Sequence, residues 1–209
     1  MILFVEGPRA CGKTYLIENF IADCQDPRIE YYKFYFANHI KLLGLQPLDK
    51  TPALHYFSLG NIMTILEMNL RPEYKDKIWI FDRAIISAYT WAVLRGRLTQ
   101  ERADTEYTTL LQSELYRNCK TIVIQVKGQT QDTSRKKDIF DGVHTTEEEC
   151  NLINHFILCG SPSLDYRAWD NRLSFVTNTF NQETQRFNDD SNVAFMQKCY
   201  TLLDLRPNK

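Results

Sequence analysis

No apolar run in the sequence approaches eighteen residues, so no segment is long enough to cross a bilayer as a helix. The six cysteines stand at 11, 24, 119, 150, 159 and 199, with no C-x-x-C pair and no Cys/His spacing of the kind that holds zinc. They read as reduced, mostly buried thiols of a cytoplasmic protein. Neither sign of charge is in excess: 25 basic residues face 26 acidic ones, and the net charge is -1. No global positive field is therefore available to hold a polynucleotide non-specifically. Repeats and low-complexity stretches are absent, and the apolar start MILFV is far too short for a secretory core. The expectation is a soluble, unprocessed chain with no membrane partner.

What is present suits a packed domain. The 209 residues are 44% hydrophobic and include eleven Tyr and twelve Phe, enough to build one core without staples, so residues 1–209 are expected to form a single domain. Met1 to Glu6 is a short apolar run ending at Gly7, and Leu16, Ile17, Phe20 and Ile21 then recur at helical spacing up to Cys24. Glu30 to Phe36 is aromatic and strand-prone, and Thr51-Pro52 opens a helix that runs to Leu70. Lys77 to Asp82 and Lys120 to Val126 read as central parallel strands covered on both faces. Helices are expected between them at Ala84 to Arg95 and Thr99 to Asn118. Thr145-x-x-Glu148 offers a capping box for a helix to Leu158, an aromatic segment spans Tyr166 to Phe180, and a last helix covers Ser191 to Leu205. The alternation predicts an α/β fold of three layers, a parallel sheet of about five strands with helices on both faces. The order of the strands stays open.

Between the first strand and first helix, Gly7-Pro8-Arg9-Ala10-Cys11-Gly12-Lys13-Thr14 matches G-x-x-x-x-G-K-[ST] at every defined position. That pattern arises by chance in a chain of this length on the order of one time in a hundred or less. Its chemistry explains its spacing. Backbone N–H groups and the helix N-terminus cradle phosphates, Lys13 reaches the β and γ oxygens, and Thr14 holds Mg²⁺. ATP and Mg²⁺ are the expected ligands, since no guanine-reading Asn/Thr-Lys-x-Asp segment is visible. The histidines at 39, 55, 144 and 155 form no ligand spacing, so no protein-held metal beyond Mg²⁺ is expected.

The strand Lys77 to Phe81 ends in Asp82-Arg83, at the edge where parallel sheets bind ligands. The run Asp82-Arg83-Ala84-Ile85-Ile86-Ser87-Ala88-Tyr89-Thr90-Trp91, together with the phosphate loop, resembles the thymidylate kinase and deoxynucleoside kinase branch of the P-loop kinases. The resemblance implies that Asp82 orients or deprotonates an acceptor hydroxyl or holds metal-bound water. It implies that Arg83 contacts the transferring or acceptor phosphate. Ser87 reads equally as a helix-surface residue or a contact. The segment Gly128 to Gly142 is polar and glycine-bounded, and kinases of this kind close a basic lid, for which Arg135 is the candidate beside Lys127, Lys136 and Lys137. Asn38, His39, Tyr56, Phe57 and Asn61 are candidates for gripping the acceptor. One departure from thymidylate kinases is evident: Phe36-Ala37-Asn38-His39 stands where an Arg-Glu-Pro-type segment belongs.

Three readings follow. The first is a kinase of (deoxy)nucleosides or nucleoside monophosphates such as thymidylate, in nucleotide metabolism, with a homodimer among the expected states. The second is a kinase for a hydroxyl on nucleic acid, a polynucleotide 5′ end or a hydroxymethylated base, served by a basic face of Arg9, Arg95, Arg97, Arg102 and the lid. The third is a nucleotide-binding module without transfer, in which Asp82 and Arg83 would be structural.

Overall fold

The computed structural model describes residues 1–33, 36–46, 50–127, 146–163, 172–181 and 186–207. Chain order begins with β1 (Ile2–Glu6), α1 (Lys13–Cys24), β2 (Ile29–Lys33), α2 (Phe36–Leu42), α3 (Ala53–Met68) and β3 (Ile78–Asp82). It continues with α4 (Ile85–Leu94), α5 (Gln100–Gln112), α6 (Glu114–Arg117), β4 (Cys119–Lys127), α7 (Thr146–Ser163), β5 (Leu173–Asn181), β6 (Arg186–Phe187) and α8 (Asp189–Leu203). The sheet runs β2-β3-β1-β4-β5-β6. Its first five strands are parallel, and the short β6 closes the edge antiparallel to β5.

The near-continuous apolar character of β1 follows from its central place. Ile2 and Phe4 point into one core with α3, α4, α5 and α7, while Leu3 and Val5 point into a second core with α1 and α8. The helices that follow β1 and β3 thus lie on opposite faces of two adjacent strands. A crevice opens at the C-terminal ends of such a pair, and ligands bind there in open α/β sheets.

Several boundaries differ from expectation. The second strand covers Ile29–Lys33, and Lys33 pairs with Asp82, the last residue of β3. Phe36 instead starts α2. The single helix expected over 99–118 is broken at Ser113, whose extended backbone carries its hydroxyl onto the Leu110 carbonyl at 2.6 Å. The aromatic segment before Phe180 contains the fifth parallel strand, with Val176 and Asn178 buried and Phe175 exposed. The cysteines behave as expected: all six are free thiols, four of them buried.

His55 on α3 is buried, and its ring packs on those of Tyr56 and Tyr89 at centroid distances of 5.1 and 4.8 Å. Burial lowers its pKa to about 4, against the weaker pull of the Glu106 carboxylate 4.0 Å away. The ring is therefore neutral in the fold. Below the ordinary value of 6.5 the unfolded chain gains a proton that the folded chain refuses until about 4, so stability falls as pH falls through this window. The component at His55 amounts to about 2 kcal/mol between pH 7 and pH 5. Denaturant unfolding of wild type and His55→Phe at both pH values is expected to differ by that amount. An NMR titration of the ring with a midpoint near the ordinary histidine value would contradict the assignment.

Candidate phosphate-binding and transfer site

The loop after β1 is shaped by its backbone. Gly7 has φ 144°, Ala10 φ 57° and Gly12 φ 85°, so left-handed residues alternate along the turn as in the concave N–H nests that bind anions. At Gly7 a side chain is sterically forbidden: a Cβ would lie 2.7 Å from the Ile124 carbonyl oxygen of β4 and 3.1 Å from Cys11 Sγ. From the far side, Asn178 of β5 donates to the Cys11 carbonyl at 2.8 Å, tying the loop to three strands of the sheet. Lys13 is buried beneath this turn, where its ammonium donates to the Gly7 carbonyl at 2.9 Å and the Pro8 carbonyl at 2.6 Å. The charge is thus held at the loop by the loop's own oxygens.

Thr14, in the first turn of α1, donates its hydroxyl to Asp82 Oδ2, and Tyr31 of β2 donates to the same oxygen at 3.4 Å. The expected pairing of loop and β3 corner is therefore a direct contact. Two oxygen ligands of the hard type side by side at a phosphate loop fit Mg²⁺, which takes one or two protein oxygens and completes its shell with phosphate and water.

Arg83 follows at φ 71°, a left-handed conformation that is strained for a long side chain. Its amide is fixed to the Val5 carbonyl at 3.0 Å. Its guanidinium reaches the Gly7 carbonyl at 3.4 Å and Glu149 Oε1 at 3.2 Å. Glu149, fully buried on α7, also accepts from the Arg9 amide at 3.1 Å and from Arg9 Nε at 3.2 Å. Burial alone would raise the Glu149 pKa, but Arg83, the Arg9 amide and Lys13 outweigh it and hold the carboxyl below its ordinary value. The Arg9 guanidinium in turn lies over Trp91 at 5.0 Å, with Arg95 over the same ring at 5.2 Å.

Two functional groups were not visible in the sequence motifs. Glu149 was masked by its neighbours in the run Glu147-Glu148-Glu149, yet it lies four and seven residues before the buried Ile153 and Phe156, which puts it on the inward stripe of α7. Glu6 ends β1 and is buried. It accepts from the Ala84 amide at 3.0 Å, the Ser87 amide at 3.3 Å and the Ser87 hydroxyl, and so caps the N-terminus of α4. Burial raises its pKa. Ser87 is therefore a buried partner of Glu6 rather than a surface or acceptor residue.

The remaining candidates divide. Arg135 and the expected lid at 128–142 lie outside the described residues, as do the side chains of Asn38 and Lys127. His39 is buried, bonded through Nδ1 to Ser58 Oγ at 2.9 Å and packed edge-on against the half-buried Phe57. Tyr56 donates to Glu106 at 2.8 Å at the surface, and Asn61 is half-buried on α3.

Glu149→Gln is expected to cost about 2 kcal/mol, discounting a buried-pair value for the partial exposure of both arginines. Because the folded pKa is depressed, the native carboxylate's contribution is present above the ordinary value of 4.5 and lost as pH falls through the folded one. The variant's stability should accordingly be flatter on the acid side in denaturant unfolding. Equal pH profiles would contradict the pairing.

Neither a protein-family model nor a curated protein sequence matches this chain. Solved structures do match in shape. The thymidylate kinase of Candida albicans superposes with a TM-score of 0.63 at 13% identity, over 100% of this chain and 94% of that one. The thymidylate kinase of Ehrlichia chaffeensis gives 0.55 at 16% identity, over 97% and 98%. NadR in complex with NR gives 0.61 at 12% identity over 100% of this chain, which spans about half the length of that NadR chain, 52%. In fold, this chain is similar to these thymidylate kinase and NadR structures.

Proposed function

We propose that the chain is a kinase that binds ATP with Mg²⁺ and transfers the γ-phosphoryl group to a (deoxy)nucleoside or nucleoside monophosphate such as thymidylate. The observation that carries this reading is the contact of Thr14 with Asp82 beneath a phosphate loop whose lysine is already in place. Phosphoryl transfer asks the protein mainly for position and charge neutralisation. Lys13 and the loop amides would hold the β and γ phosphates. Thr14 and Asp82 would hold Mg²⁺, which supplies charge neutralisation between the phosphates. The acceptor oxygen bonds to the γ phosphorus as the bond to the β–γ bridging oxygen breaks and ADP leaves. The hydroxyl proton leaves toward Asp82, which stands at the mouth of the crevice between β1 and β3. Arg83, aimed at the Gly7 carbonyl and balanced by Glu149, would swing to the transferring phosphate, and Arg135 in a lid over 128–142 would cover it.

The nucleic-acid reading is weakened by where its arginines lie. Arg95 and Arg97 are buried, Arg9 is bound to Glu149, and the exposed Arg102 is matched by Glu106 at 2.8 Å. Of the four arginines only Arg102 is exposed, and the lid that would complete the face lies outside the described residues. A module without transfer would use the Thr14–Asp82 contact in the same way, to hold Mg²⁺ beside the nucleotide, so acceptor-stimulated turnover is what separates the two readings.

Turnover of ATP to ADP, measured with Mg²⁺ across nucleosides, monophosphates and short oligonucleotides, is expected to be stimulated by a nucleoside or monophosphate. Stimulation should fall by at least about a hundredfold in Lys13→Ala and in Asp82→Asn. Stimulation by oligonucleotides alone would favour the second reading, and none with any acceptor, despite ATP binding that needs Lys13, would overturn transfer.

A further inference from the structure

In the helical layer, α5 packs along α7 and brings together three side chains of metal-binding chemistry. His155 Nε2 lies 2.8 Å from Asp104 Oδ1 and 3.1 Å from Cys159 Sγ, and the three donor atoms all fall within 4.8 Å of one another. All three residues are half-buried, so an ion could reach them from solvent.

The geometry rules out one familiar use of these residue types. In a cysteine nucleophile with a His–Asp relay, the carboxylate must hold the imidazole nitrogen that does not face the sulfur. Here both the carboxylate and the sulfur meet the same nitrogen. A hydrogen on Nε2 is donated to the Asp104 carboxylate, and a cation taking its place would be met by nitrogen, oxygen and sulfur together.

We propose that Asp104, His155 and Cys159 form a Zn²⁺ site, with water as a fourth ligand, that clamps α5 to α7. Tetrahedral zinc with bonds of about 2.0 to 2.3 Å separates its ligand atoms by roughly 3.3 to 3.7 Å. The two spacings to His155 Nε2, 2.8 and 3.1 Å, need to open by about half an ångström, and the carboxylate–sulfur spacing, within 4.8 Å, needs to settle into the same range. The shell behind them is already ordered. Gln100, one turn before Asp104, donates to its Oδ1 at 2.7 Å, and the Phe156 ring stands edge-on to His155 at 5.5 Å. The spacing was overlooked in the sequence because only two ligands share a helix, His155 and Cys159 one turn apart, while the third comes from a partner helix fifty residues earlier. Since α7 also carries Glu149, the clamp would steady the helix that balances Arg9 and Arg83.

The full chain, stripped of metal, is to be dialysed against Zn²⁺, and against Co²⁺ as a spectroscopic stand-in. One zinc per chain is expected, with a higher melting temperature. Cobalt should give a thiolate-to-metal charge-transfer band and the visible bands of a tetrahedral site. His155→Gln, Cys159→Ser and Asp104→Asn should each weaken zinc binding by at least about tenfold, while Cys150→Ser, the other half-buried thiol on α7, should leave it unchanged. Far-ultraviolet circular dichroism confirms that each variant is folded. Absence of stoichiometric zinc, or a cobalt thiolate band that survives Cys159→Ser, would overturn the proposal.

Discussion

A buried carboxylate fixes much of the site's geometry. Glu149 has no exposed surface, and an isolated charge in that position would be prohibitively costly. It is tolerated because Arg83, Arg9 and the Arg9 amide converge on its two oxygens. Each of those partners belongs to a different part of the machinery: Arg9 to the phosphate loop and Arg83 to the end of β3. One side chain on α7 therefore sets the distance between loop and corner, and the strained backbone of Arg83 persists because the guanidinium and the amide are both held.

The ends of β1 and β3 are one residue apart in register, and each carries a carboxylate with a different task. Glu6 turns inward, away from solvent, and its oxygens are consumed by the first amides of α4 and by Ser87. Among the described residues, the hydrogen bonds Asp82 accepts come from the hydroxyls of Thr14 and Tyr31. Hydroxyl partners leave the carboxylate able to exchange them for a metal ion or an acceptor, whereas an amide-saturated carboxylate has no such freedom.

The glycine loop was legible because its glycines are demanded by backbone geometry, as the 2.7 Å at which a Cβ on Gly7 would meet the Ile124 oxygen makes plain, and because Lys13 and Thr14 sit at fixed offsets from them. The apolar runs of β1, β3 and β4 were legible because strands covered on both faces have no polar alternation to confuse. The fifth strand was not, since Asn178 faces inward to hold the loop and Phe175 faces solvent, reversing the usual pattern. Glu149 and Glu6 were missed for a shared reason: a buried acid is identified by partners distant in sequence, and no local motif announces it. The helix expected over 99–118 failed at Ser113, where a side-chain hydroxyl competed with the backbone.

The central claim is that the phosphate loop and the β3 corner form one Mg²⁺-nucleotide site. Calorimetric titration of ATP, with and without Mg²⁺, into wild type, Thr14→Ala and Asp82→Asn tests it most directly. Magnesium is expected to tighten ATP binding in the wild type by tenfold or more and to have little effect in either variant. A magnesium effect that survives both substitutions, or none in the wild type, would contradict the claim.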